Sequence, residues 1–328
     1  MKAMAIDRAG GPDVLTLHDL PVPQPNADEA LVKLAASGVN FIDVYYRNGT
    51  YKAPQFPFVV GQEGAGVVQA VADGVTSVAP GDRVAFAGAS GSYAEFMSVP
   101  AARLVRVPDD VALRDAAALM LQGMTAHYLV NSTFPLAPEH VVLLQAGAGG
   151  VGLLLTQLAK AKGATVITTV SSAEKAELSK RAGADHVIDY TKDDFAREAR
   201  RFTGGAGVHV VYDSVGKTTW QHSLDALRPR GYFVLFGASS GVVPPFDLQV
   251  LNQKGSLFAT RPSLVAYVAT PEELAWRASE LFDAVRSGAL KLRVEHTYAL
   301  SDAARAHAEL ESRKTTGKLL LLMPGGAN

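Results

Sequence analysis

The chain has 328 residues, enough for about two domains at roughly 150 residues each. Its 31 Lys and Arg stand against 32 Asp and Glu, a formal net charge of −1 with no long run of one sign, which excludes nucleic acid and anionic membrane surfaces as primary partners. There is no cysteine, so disulfides and thiolate metal ligands are excluded, and the start MKAMAIDRAGG lacks the apolar stretch of a signal peptide, so a cytoplasmic location is expected.

From Met1 to about Gly123 the chain reads as short strands broken by turn chemistry: PVPQPNADE, ALVKLAASGVN, GAGVVQAVADGV and PGDRVAFAG. Alternation, frequent Gly and Pro, and few long amphipathic runs predict an irregular β-rich domain. From about Met124 the rhythm becomes strand, helix, strand, helix. Strands are expected at Val141 to Leu144, Thr165 to Thr169, His186 to Ile188, Val208 to Tyr212, Tyr232 to Phe236 and Gly255 to Phe258. Helices are expected between them at Val151 to Lys162, Ala173 to Ala182, Phe195 to Phe202 and Thr218 to Leu227, with another near Glu272 to Ser287. Apolar strands alternating with helices imply a parallel sheet covered on both faces, because right-handed crossovers place the helices there. The tail YALSDAARAHAELESRKTTGKLLLLMP adds a helix and an apolar strand. No apolar run reaches the ~20 residues that span a bilayer.

Gly147, Gly149 and Gly152 follow the apolar strand VVLLQA and open the helix VGLLLTQLAKAKG, the context in which GxGxxG carries meaning. The first glycine permits a tight turn, the second lets backbone approach a diphosphate, and the third lets helix and strand pack closely. The phosphates are expected at the helix N-terminus, where unpaired amides and the dipole favour negative charge. NAD-specific folds place a carboxylate at the end of the next strand to hold the ribose hydroxyls. Here that strand ends in Thr168, Thr169, Val170, Ser171 and Ser172, with Lys175 one helical turn on. Two hydroxyls and a cation suit a 2′-phosphate, so NADPH is predicted over NADH; Ser171 and Ser172 could alternatively cap the following helix.

The segments GVNFIDVYYRNGTY, VVGQEGAGVV, PGDRV and GSYAEF, followed by AGAGGVG, resemble the medium-chain dehydrogenase/reductase superfamily. Within it, YDSVGKTTWQHSLDALRPRG, LNQKGSLFATRPSL and AHAELESRKTTGKLLL resemble the NADPH:quinone oxidoreductase branch, which includes zeta-crystallin. The resemblance implies an α/β fold, with a Rossmann-type doubly wound parallel sheet domain inserted into a GroES-like β-rich catalytic domain. It places the catalytic domain in residues 1–124 and 265–328, the NADPH-binding domain in 125–264 and the active site in the interdomain cleft, and it implies a homodimer, often formed by edge-to-edge pairing of the nucleotide-binding sheets.

Zinc-dependent members of the superfamily carry a catalytic Cys and a Gly-His-Glu segment, whereas this chain has no Cys and reads Gly61-Gln62-Glu63. A four-coordinate zinc site has lost its best donors, and no metal is expected. Glu63 is then expected as a buried, hydrogen-bonded carboxylate. His18, His127 and His186 lie in dissimilar contexts and are read as structural.

By resemblance, Asn40, Tyr45, Arg47 and Tyr51 lie near the nicotinamide and the substrate; Asn40 can hydrogen-bond the cofactor, and either Tyr can donate to a developing oxyanion. Tyr46 stands where some relatives have an aliphatic residue. The glycine turn with Gly149, Gly150 and Val151 is assigned to the diphosphate, and Ser171, Lys175 and Tyr190 to the adenosine phosphate end with Ser214 nearby. Phe236, Gly237, Ala238, Ser239, Phe258, Thr260 and Arg313 are assigned to the nicotinamide or phosphate surroundings. The leading reading is metal-free hydride transfer from NADPH to quinones. Reduction of an enone or alkenal double bond, and an NADPH-binding regulatory or structural role, remain open beside it.

Overall fold

The computed structural model describes residues 1–325 and divides the chain into two units, one of Met1–Met124 with Tyr267 onward, the other of Thr125–Ala266. In the second unit six strands alternate with helices: β1 (Val141–Leu144), α1 (Gly150–Ala161), β2 (Thr165–Val170), α2 (Ala173–Arg181), β3 (His186–Asp189), α3 (Phe195–Phe202), β4 (Val208–Asp213), α4 (Trp220–Asp225), β5 (Leu227–Leu235), α5 (Gln249–Gln253) and β6 (Phe258–Thr260). All pairings are parallel, in the order β3-β2-β1-β4-β5-β6. The chain winds outward from β1 in one direction and from β4 in the other, which leaves a crevice outside the carboxyl ends of these two strands, the place where such sheets bind ligands.

The residues account for this sheet. β1 and β2 are β-branched and Leu-rich and almost wholly buried, as strands covered on both faces must be. Helix α1 buries Leu153, Leu154 and Leu155, each worth about 1.5–3 kcal/mol of apolar transfer. Helix α2 starts where the Ser172 hydroxyl accepts the Lys175 amide, and α3 where Asp194 accepts those of Ala196 and Arg197. Two strand starts differ from expectation by three residues or more. β5 begins earlier, at Leu227, and absorbs the turn at Arg230 (φ 58°) as an irregularity in its pairing with β4. The last strand runs Phe258–Thr260 rather than Gly255 to Phe258, because Gly255 (φ 110°) and Ser256 (φ 55°) turn the chain before it can extend.

The first unit contains a seven-stranded sheet built around the long strand Glu29–Val39, which pairs antiparallel with Glu63–Val71, Phe96–Pro100 and Lys318–Leu322. A small sheet of Thr16–Asp19, Lys2–Ile6 and Phe58–Val59 joins it. Ile6, Val32, Leu34, Phe86, Leu319 and Leu321 meet in a common core. The C-terminal strand therefore lies inside the sheet, between Val294–Ala299 and Glu29–Val39, and this brings Lys318 beside the end of the latter.

This half is less purely β than its sequence suggests. Helices form at Phe41–Arg47 and Leu113–Tyr128. The second escapes periodicity because Ala116 to Met120 are all buried, so no polar face marks the turns. No helix among the described residues is long and apolar enough to cross a membrane.

Candidate functional site

The glycine turn occupies the crevice-side end of β1. Ala146 adopts the left-handed conformation (φ 58°), and Gly149 is the N-cap of α1 with no side chain to cap the helix. The amides of Gly150, Val151 and Gly152 then stand in the first helical turn, where no intrahelical carbonyl can reach them. A Cβ on Gly152 would lie 2.3 Å from the Ala146 carbonyl oxygen, so only glycine allows the turn to fold against the helix. The result is a cradle of donors at a helix N-terminus, which fits a diphosphate.

Next along the sheet, Val170 at the end of β2 lies opposite Asp189 of β3, so Ser171 and Tyr190 leave adjacent strand ends. Lys175 Nζ is 3.4 Å from Ser171 Oγ. Ser172 is the helix cap, its hydroxyl accepting the Lys175 amide, so the capping alternative holds for this serine. No carboxylate stands in residues 168–172 at the end of β2. On the other side of the crevice, Ser214 follows β4, and its carbonyl accepts the Ser239 amide. Gly237 approaches so closely that a Cβ would meet the Ser214 carbonyl oxygen at 2.6 Å. Ser214 and Phe236 to Ser239 are thus knitted together at neighbouring strand ends. Thr260 ends β6, whereas Phe258 begins it, exposed and stacked on Tyr232 at 4.5 Å, and is not brought to the strand end with the others.

Asn40, Tyr45, Arg47, Tyr51 and Arg313 belong to the first unit. Tyr45 and Tyr51 pack edge to face at 5.2 Å, and Tyr46 completes the cluster at 5.7 Å from Tyr51 and 5.5 Å from Phe58. Asn40 precedes the helix Phe41–Arg47, and its side chain is held at every point. Its Oδ1 accepts from Lys318 Nζ at 2.8 Å and Gln122 Nε2 at 3.2 Å, while its Nδ2 donates to Glu63 at 2.8 Å and to the Gly38 carbonyl at 3.4 Å. A cofactor contact by this amide would have to displace one of those partners. Glu63 (0% exposed) also accepts the Leu121 amide and pairs with Lys318 (3% exposed). Gly38 makes room for the pair, since a Cβ there would lie 2.1 Å from Glu63 Oε2.

Arg47 is likewise buried. It binds both oxygens of Glu311, at 2.7 and 3.0 Å, and donates to the Gly10 carbonyl and to His307 Nδ1. A guanidinium can only donate, so His307 Nδ1 accepts and Nε2 carries the proton. That proton points to the Tyr93 hydroxyl at 3.0 Å, and Tyr93 in turn donates to Asp43 Oδ2 at 3.0 Å, which also accepts the Asn40 amide at 2.8 Å. Burial, then the nearby Arg47, lowers His307 to about 3, so the ring stays neutral. Burial raises Asp43 to about 7 against the hydrogen bonds from Asn40 and Tyr93. Asp43 Oδ1 has no hydrogen-bond partner among the described residues, so a proton held there leaves both bonds to Oδ2 intact.

Lys318, Tyr93, His307 and Glu311 were not legible as site neighbours. The one available signal was Lys318 itself, a charge at the head of the apolar run KLLLL.

Two families match the chain: the alcohol dehydrogenase GroES-like domain over residues 26–109 and the zinc-binding dehydrogenase over residues 150–274. The chain is 47% identical over 314 residues to a quinone oxidoreductase of Pseudomonas aeruginosa, covering 95% of this chain and 97% of the relative. It is similar to the crystal structure of Escherichia coli quinone oxidoreductase complexed with NADPH, with a TM-score of 0.97 and 43% identity over 98% of this chain and all of the other. It is also 42% identical over 327 residues to a 2-haloacrylate reductase of Burkholderia, covering 98% of each chain. The zinc in the second family's description finds no fitting donors here. The sequence has no Cys, Glu63 is engaged by Lys318, and Gln62 donates to Ser90. Among the described residues no three His, Cys, Asp or Glu side chains are grouped to hold a metal ion.

Proposed function

The chain belongs to the zinc-independent quinone oxidoreductase branch of the medium-chain dehydrogenase/reductase superfamily, and from that premise we propose that it is an NADPH-dependent quinone reductase. When bound, NADPH supplies a hydride which, with one proton from water, converts a quinone to its quinol. The observation that carries this reading is the pairing of an uncapped, donor-lined helix start with hydroxyls and Lys175, instead of a carboxylate, at the end of β2. The amides of Gly150, Val151 and Gly152 hold the diphosphate. Ser171, Lys175 and Tyr190 take the 2′-phosphate with Ser214 nearby, and Phe236 to Ser239 and Thr260 orient the nicotinamide half. In the first unit Tyr45 and Tyr51 offer flat faces and hydroxyls to an aromatic acceptor, with Arg313 as a further phosphate contact. Asn40 and Arg47, both tied down within the chain, act as positioning residues.

Lys175→Ala should raise the Michaelis constant for NADPH roughly tenfold, the worth of one charge-assisted contact, and leave that for NADH unchanged. An unchanged NADPH constant removes Lys175 from the site.

A second reading, reduction of a carbon–carbon double bond conjugated to a carbonyl, is favoured by the likeness to the haloacrylate reductase. Both acceptors need a flat slot and an oxyanion donor, so a panel of para-benzoquinone, phenanthrenequinone, simple enones and haloacrylate separates them. Negligible turnover of every acceptor despite tight NADPH binding would instead support a regulatory or structural protein.

The same reading includes a cytoplasmic homodimer. Phe258, Ala259 and Thr260 leave the edge of β6 exposed, and Val242, Leu248 and Val265 are exposed nearby in sequence. An exposed strand edge invites pairing with its own copy, and Ala259→Lys should yield a monomer by light scattering.

A further inference from the structure

Beneath the glycine turn, buried side chains join the ends of β1, β2 and β4. The Ala146 amide donates to Thr169 Oγ1 at 3.3 Å, and Thr169 Oγ1 donates to Gln145 Oε1 at 2.7 Å. Gln145 Nε2 is 3.4 Å from Ser223 Oγ, which donates to Asp213 Oδ2 at 2.7 Å. Gln145 is 2% exposed, and Thr169, Ser223 and Asp213 are fully buried.

The chain has one polarity. Ser223 spends its one proton on Asp213 Oδ2, so the Ser223 oxygen is left to accept from the Gln145 amide nitrogen. The Gln145 oxygen then faces the Thr169 proton, and the Thr169 oxygen receives the Ala146 N–H. Each end of the chain holds a turn of the candidate cofactor site. At one end is Ala146, a non-glycine residue in the left-handed region. At the other, Asp213 Oδ1 accepts the amides of Val215 and Gly216, fixing the turn that carries Ser214.

We propose that Gln145 is a positioning residue for NADPH: it ties the diphosphate-binding turn after β1 to the Ser214 turn after β4, so that both are set before the dinucleotide arrives. This rests on the NADPH-binding reading above. Gln145 acts on the part of the cofactor common to both nicotinamide dinucleotides, so its loss should weaken NADPH and NADH alike, unlike the loss of Lys175.

The test is calorimetric titration of the full chain and of Gln145→Leu, Thr169→Val and Thr169→Ser with each nucleotide, alongside melting temperatures and kcat at saturating NADPH. Gln145→Leu and Thr169→Val should each weaken both nucleotides by roughly tenfold, about the worth of one ordered hydrogen bond, with kcat changed less than about twofold. Thr169→Ser, which keeps the hydroxyl, should restore wild-type affinity. Wild-type affinity in both disrupted variants, with only a lowered melting temperature, overturns the proposal while the cofactor reading stands. Absence of nucleotide binding by the unaltered chain overturns both.

Discussion

The two units bury polar groups in different ways. Under the glycine turn the links are neutral hydroxyls and amides ending on one carboxylate, Asp213, whose oxygens accept two backbone amides and two hydroxyls. In the other unit charged pairs are buried as well: Lys318 with Glu63, and the buried Arg47 with the partly exposed Glu311. A neutral chain carries a modest desolvation cost and fixes geometry through its polarity. A buried ion pair costs several kcal/mol per ion to desolvate and depends on its partner remaining in place. The difference separates a region whose variants should show in ligand affinity from one whose variants should show in folding.

The sharpest way to break that contrast is Lys318→Met, which strands Glu63 in the core. About 3–5 kcal/mol of stability should be lost, read from urea midpoints, and the double variant with Glu63→Leu should recover much of it. A single variant as stable as the parent would show that the pair contributes nothing to stability and would undo the contrast. Gly152→Ala comes next. Its Cβ would press on the Ala146 carbonyl, costing about 1–3 kcal/mol and removing NADPH binding even where the protein still folds.

A pH series is subtler. Asp43 is raised to about 7 from 3.8, so the folded chain keeps a proton that the unfolded chain releases. Its contribution is full below the unfolded value and falls as pH climbs through about 7, by at most about 1.4 kcal/mol per pH unit. His307 is lowered to about 3 from 6.5, so its contribution is full above the unfolded value and falls as pH drops towards 3. The two slopes oppose one another between them. Asp43→Asn should leave only the second, so that stability rises with pH up to about 6.5 and then levels. Unchanged pH profiles would contradict the titration assigned to Asp43.

The nucleotide-binding sheet was largely legible because its signals are local. The strand before Gly147, the helix after it and the Ser171–Lys175 spacing all fall within one βαβ stretch. The charged network was not, because Lys318 meets Asn40 across 278 residues and Arg47 meets Glu311 across 264. No periodicity records such contacts. Asn40 and Arg47 were picked out, but what saturates them was invisible, and with it their character as held rather than free groups. The helix Leu113–Tyr128 was missed for the related reason that burial on all sides erases amphipathic contrast.

The proposed preference for the phosphorylated dinucleotide rests on Ser171 and Lys175. Titrating the purified chain with NADPH and NADH side by side in a calorimeter tests it most directly. NADPH should bind at least about tenfold more tightly. Equal affinities, tighter binding of NADH, or no heat from either nucleotide would contradict the account.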